Sequence, residues 1–279
     1  MNFRISPLLL TSVALFTALP LFAADATFER NFSTNGRPDL SVATGSGSIH
    51  LSAGAPGQVH IVGHIHTSWG ADEVQVRSLA DHPPLEQTGN IVRVGVHVGN
   101  LHNISIDYEI QAPPDAFLEA NTGSGAINDD GVGANARLNT GSGNIHAKGL
   151  SGDATLGTGS GSIEADFTGG GNIKAETGSG SVELNNVHGG LRAHTGSGHV
   201  KVNGSPAGPW QIETGSGGVE LFTGSSAFTL DASCGAGSIE SDRTVAVQGK
   251  QSRRHLAGNV NGGGPEVRVE TGAGSIHIH

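Results

Sequence analysis

The chain has 279 residues, with 25 acidic against 15 basic side chains and a formal net charge of −10. That charge works against a polyanionic ligand, so nucleic acid is excluded as a partner class. One cysteine, Cys234, excludes an internal disulfide, and 45 glycines beside 35% hydrophobic residues indicate many tight corners in a packed protein rather than disorder.

The N-terminus carries Arg4, an apolar run from Leu8 to Phe22, and then Ala23-Ala24-Asp25-Ala26. A basic start, an apolar stretch and small residues are the plan of a secretory signal peptide, assigned to residues 1–23. The run is shorter than the roughly 20 residues a membrane span needs. No later stretch is apolar enough to cross a bilayer. The expected address is therefore outside the cytoplasm: periplasm, cell surface or extracellular space.

Residues 24–117 form an irregular N-terminal β region. Short strands are expected at Thr27 to Phe32, Leu40 to Ala43 and Ser48 to Leu51, with a long alternating strand from Gln58 to His66. Ala71 to Asp81 reads as a short helix, because Val76, Leu79 and Ala80 share one helical face and Pro83-Pro84 stops it. The alternation of Val74 and Val76 supports a competing strand. Asn90 to Val98 and Asn103 to Gln111 are further strands.

From residue 118 to 279 a repeat takes over. Its core, Thr-Gly-Ser-Gly-x-Ile/Val, begins at Thr44, Thr122, Thr140, Thr158, Thr177, Thr195 and Thr214, with altered copies at Cys234 and Thr271. From Thr122 to Cys234 the steps are 18, 18, 19, 18, 19 and 20 residues. Each period holds two short alternating strands and two Gly-rich turns. Val182 and Leu184 alternate with Glu183 and Asn185; Leu191, Ala193 and Thr195 alternate with Arg192 and His194.

Two folds use such a pattern: an antiparallel meander with the glycines at hairpin tips, or a parallel β-solenoid with the glycines at stacked corners. Cys at 234 and Ala at 236 and 273 keep size and lose polarity, which suits inward positions in a stack. The fold class expected is all-β, a parallel β-solenoid of 18–19 residues per rung. Its structural corners are Thr122, Gly123 and Gly125; Thr140, Gly141 and Gly143; Thr158, Gly159 and Gly161; Thr177, Gly178 and Gly180; Thr195, Gly196 and Gly198; and Thr214, Gly215 and Gly217. Positive φ at these glycines is the expected reason for them, with Thr and Ser both turned inward.

The run Asn-Ile-Ser-Ile-Asp-Tyr-Glu-Ile-Gln-Ala-Pro-Pro from Asn103 to Pro114, followed by Leu118 to Ile127 with its Thr-Gly-Ser-Gly, resembles the bacterial "putative adhesin" β-strand-repeat family, a domain of unknown function. The resemblance covers roughly residues 30–279. It implies an exported β-solenoid-like protein and carries no catalytic residues with it.

Candidate chemistry is sparse. The chain has 14 histidines, and His60, His64 and His66 share one side of one strand. Two imidazoles in His-x-His lie about 6.5–7 Å apart at Cα, near enough for His64 and His66 to share one Zn²⁺ or Cu²⁺. A solvated outer face is the plainer alternative, and His277-Ile278-His279 repeats the arrangement. The corner serines lack the strand–turn–helix context of a nucleophile. A carbohydrate-active β-helix enzyme would need convergent carboxylates, for which Asp129, Asp130 and Glu164 are the candidates, and aromatic platforms, whereas Trp69, Trp210 and Tyr108 are scattered. The expected function is a non-catalytic, adhesin-like envelope module without cofactor, meeting a polysaccharide or protein surface. Carbohydrate processing and His-based metal binding are the alternatives. The final strand, with nothing after it, suggests end-to-end self-association through residues 271–279.

Overall fold

A computed structural model describes residues 25–96, 101–247 and 252–279. The segment assigned as a signal peptide lies outside them. The fold is a parallel β-solenoid. Strands that precede a Thr-Gly-Ser-Gly corner stack on one face: Asp39–Thr44, Phe117–Thr122, Asn135–Thr140, Ala154–Thr158 and Ile173–Thr177 pair in parallel and in register. Strands that follow a corner stack on the other: Ile49–Ala53, Ile127–Asp130, Ile145–Leu150 and Ile163–Phe167. Val182–Thr195 and Val200–Ser216 run across both faces and join them.

The register stacks like on like. On the post-corner face, Ile49, Ile127, Ile145, Ile163, Val182, Val200, Val219, Ile276 and Ile239 form one interior column. All but Ile239 are buried, and each buried side chain contributes roughly 1.5–3 kcal/mol. On the pre-corner face the outermost interior column is the corner residue itself: Thr44, Thr122, Thr140, Thr158, Thr177, Thr195, Thr214, Thr271 and Cys234.

The threonine hydroxyls tie rung to rung. Thr140 Oγ1 donates to the Gly125 carbonyl of the previous corner at 2.8 Å and accepts from the Gly143 N–H of its own at 3.1 Å. Thr122, Thr158 and Thr177 make the same two bonds. Every such hydroxyl thereby satisfies a backbone group at a bend that no strand ladder reaches.

Two details of the corner differ from expectation. The middle serines, Ser124, Ser142, Ser160, Ser179 and Ser197, are exposed, as are Ala236 and Ala273; only the Thr/Cys position turns inward. Nor are the repeated corner glycines at positive φ; Gly237 and Gly274, in the altered copies, are the corner exceptions at +134° and +154°. The repeated glycines exist because backbones touch. A Cβ on Gly125, Gly143, Gly161, Gly180 or Gly198 would run into the carbonyl of the glycine one rung earlier.

Chain order and spatial order part company at both ends. Glu266–Ala273 pairs with Val200–Ser216 on one side and Phe228–Ala236 on the other; Ile276–Ile278 lies between Val219–Phe222 and Ile239–Ser241. The last rung in sequence is thus an interior rung in space, and residues 271–279 present no unpaired edge for end-to-end association. The expectation failed because it assumed that the stack follows the chain. On the pre-corner face the outermost strands there are the antiparallel His255–Val260 and Val245–Val247; on the post-corner face Ile239–Ser241 is outermost among the described strands. At the other end Ile91–Val94 and Ile104–Ala112 stack outside the Thr44 rung. Gln58–Thr67 and Ala26–Ser33 then continue antiparallel. The helix α1 (Glu73–Asp81), N-capped by the Asp72 side chain, contacts Ala26–Ser33 and lies inside the 71–81 stretch.

Candidate functional site

The outward positions form ladders along the rod. On the post-corner face the register aligns His50, Asn128, His146, Glu164, Glu183, Lys201, Glu220, His277 and Glu240. Within that column His146 Nδ1 lies 3.1 Å from Glu164 Oε2, Lys201 Nζ 2.9 Å from Glu183 Oε1, and His277 Nε2 3.2 Å from Glu240 Oε2. The hydrogen bond that Lys201 donates to Glu183, together with the charge of that carboxylate, raises the Lys201 pKa. On the pre-corner face, Arg137, Thr155, Lys174, Arg192, Gln211 and Arg268 form one column. Glu176, His194, Glu213 and Glu270 form the next. Lys174 pairs with Glu176 at 2.9 Å and Arg268 with Glu270 at 2.6 Å. These are exposed pairs in high dielectric and add little to stability; their importance is the pattern they present.

The histidines His60, His64 and His66 stand on the outer side of Gln58–Thr67, with Val59, Ile61 and Ile65 buried beneath. His64 Nε2 lies 3.5 Å from Glu109 and His66 Nε2 3.2 Å from Asp107, so each imidazole has its own carboxylate. Among the described residues no three His, Cys, Asp or Glu side chains converge as a metal site.

Asp129, Asp130 and Glu164 do share one concavity, a shallow groove of about 360 Å³ also lined by His50, Asn128, His146 and Lys148. The carboxylates are not equivalent. Glu164 and Asp130 are exposed, while Asp129 has inward parity, is 3% exposed, and stacks between Leu51 and Ala147. Burial pushes its pKa up to about 8, although the Val132 N–H bonded to Oδ1 pulls it down. The alternation of Ile127 with Asp129 places this carboxylate inside, apart from Asp130 and Glu164, the carboxylates expected to converge with it. Of the aromatic residues considered for sugar platforms, Tyr108 and Trp210 are buried and Trp69 is 98% exposed on a loop. None of the three lines the groove.

Among the described residues no helix is long and apolar enough to cross a membrane. No curated protein matches the chain. Among solved structures it is similar to a "putative cell adhesion protein" from Clostridium sporogenes, at 15% identity and a TM-score of 0.32, with 91% of this chain and 99% of that one covered. A "putative adhesin" from Bacteroides fragilis matches at 11% identity and a TM-score of 0.32, covering 91% and 97%. The family model described as Toastrack DUF4097 matches residues 37–279, and the chain belongs to that family.

Proposed function

We propose that the protein is a non-catalytic, exported structural and interaction module of the bacterial envelope, adhesin-like in that it meets a polysaccharide or protein surface through its long polar faces. The observation that carries this reading is the distribution of the outward ladders. Charged and polar side chains change from rung to rung along both faces while the interior columns, Asp129 apart, stay apolar or threonine. A broad contact uses such a surface; a reactive centre would gather its groups at one point. The experiment is a binding screen of residues 24–279 against envelope glycans and envelope protein extracts. Lys174→Ala/Arg192→Ala/Arg268→Ala is compared with the parent. Saturable binding weakened by the triple variant, or by Glu183→Ala/Lys201→Ala/Glu220→Ala on the other face, supports the reading; binding indifferent to both variants defeats it.

A carbohydrate-active enzyme is the second reading, favoured by the groove that Asp130 and Glu164 share. Release of reducing ends from an envelope polysaccharide, abolished by Glu164→Gln, is its test. Metal binding at His64 and His66 is checked in the same screen by titrating Zn²⁺ against His64→Ala/His66→Ala.

A further inference from the structure

Asp129 is the one acidic side chain among the described residues set inside the apolar stack. Its interior neighbours along the column are Leu51 and Ala147. Oδ1 accepts a 3.0 Å hydrogen bond from the Val132 N–H, and Oδ2 is buried without a partner. That bond closes the turn from Asp130 to Ala134, whose Gly131 and Gly133 sit at φ +84° and +106°. The turn is pinned elsewhere by the buried Val132 side chain and by three backbone bonds: Gly131 N–H to the Lys148 carbonyl, Gly133 N–H to the Pro114 carbonyl, and Ala134 N–H to the Ala116 carbonyl.

Among the described residues no cation is placed to compensate a charge there. Asp130 adds repulsion. His50, His146, Lys148 and Glu164, on the neighbouring strands, line the groove on the outer side. Asp115, on the loop packed against the turn, and Asp153, in the next turn, are exposed. A charged Asp129 is therefore opposed by its surroundings, whereas the same group in an opened turn ionises freely in water.

We propose that Asp129 is a pH-operated latch on the 130–134 turn: protonated, it holds the turn closed, and its release to solvent as an anion opens it. The sign follows from linkage. A carboxyl whose closed-state pKa lies near 8 against an ordinary 3.8 keeps its proton in the closed turn and loses it in the open one. Opening therefore becomes more favourable as pH rises through that window, by up to about tenfold per unit, and levels off above it. Asn128 and Asp130 flank the latch and line the groove, so opening reshapes that part of the outer face. The inference stands on the turn's geometry and is independent of what the face binds.

Amide hydrogen exchange of residues 24–279, normalised to intrinsic rates between pH 5 and 9, tests it. The amides of Val132, Gly133 and Ala134 should lose protection by up to about tenfold per pH unit until about pH 8. The Gly159 amide, two rungs away, should not. Asp129→Asn should remove the dependence. An equal slope in both proteins, no slope in either, or a slope shared by Gly159 overturns the latch. Should the Asn variant not fold, a ¹³C titration of the Asp129 carboxyl in the parent decides: a midpoint in the ordinary carboxylate range, about 4, overturns it.

Discussion

Replacing corner glycines by alanine separates two explanations for why they are glycine. If the residues were needed for positive φ, alanine would cost about the same at every corner. The structure gives a different order, because these glycines lie outside the positive-φ region and differ only in what surrounds them. At Gly45 an added Cβ meets nothing within 4 Å. At Gly180 it would overlap the Gly161 carbonyl and lie 2.8 Å from the Ser162 nitrogen, both backbone groups locked in the stack. Gly178 meets only the Gly159 carbonyl oxygen and carbon and falls between. Overpacking a rigid interior costs typically about 1–3 kcal/mol, and the backbone collision at Gly180 belongs at or above the upper end. Gly45→Ala restricts the unfolded chain and should stabilise slightly, by up to about 1 kcal/mol. Urea unfolding followed by circular dichroism and by the fluorescence of buried Trp210 measures the series. A Gly180→Ala protein within about 0.5 kcal/mol of Gly45→Ala would falsify the close-approach argument.

Thr177→Val removes both the bond to the Gly161 carbonyl and the one from the Gly180 N–H, and should destabilise by about 2–4 kcal/mol, read from the same urea transitions. Asp129→Asn should raise stability at pH 7 by several kcal/mol and much less at pH 4, because the parent is penalised progressively between those values. Deleting residues 271–279 should expose the Phe228–Ser241 rung to limited proteolysis rather than change the oligomeric state, since it removes the corner and the post-corner strand of an interior rung.

The repeat made the solenoid readable because parallel stacking needs no partner outside the period. Inward Val182 and Leu184, and Leu191, Ala193 and Thr195, follow from alternation alone. The corner geometry was half legible. Thr-Gly-Ser-Gly announces a bend, but whether its glycines answer to φ or to a neighbouring carbonyl depends on the distance between rungs, which one rung's sequence does not contain. The same limit hid the basic side of the groove: His50 and His146 are far apart in the chain and meet beside Asp130 and Glu164 because rungs repeat. Asp129 was misread because its neighbour Asp130 invites pairing, whereas strand parity sends the two to opposite sides of the sheet.

The rearranged order of the ends explains how so regular a stack stops. A parallel solenoid built in chain order would finish on a bare rung whose N–H and C=O groups template another copy. Here the rung of Glu266–Ile278 slots beneath one made earlier in the chain, and the rung of Ile91–Ala112 lies outside the older Thr44 rung. The segments left over, Ala26–Ser33 with Gln58–Thr67, Leu85–Thr88, and Val245–Val247 with His255–Val260, reverse direction and run antiparallel over the ends, except on the post-corner face at the C-terminal side, where the three-residue parallel strand Ile239–Ser241 is outermost among the described strands. Antiparallel pairing breaks the corner register, so no Thr-Gly-Ser-Gly is offered to a further rung, and Glu29 and Arg30 place charge on the strand that ends the N-terminal side. The termination lies in the topology of the terminal segments and not in the repeat.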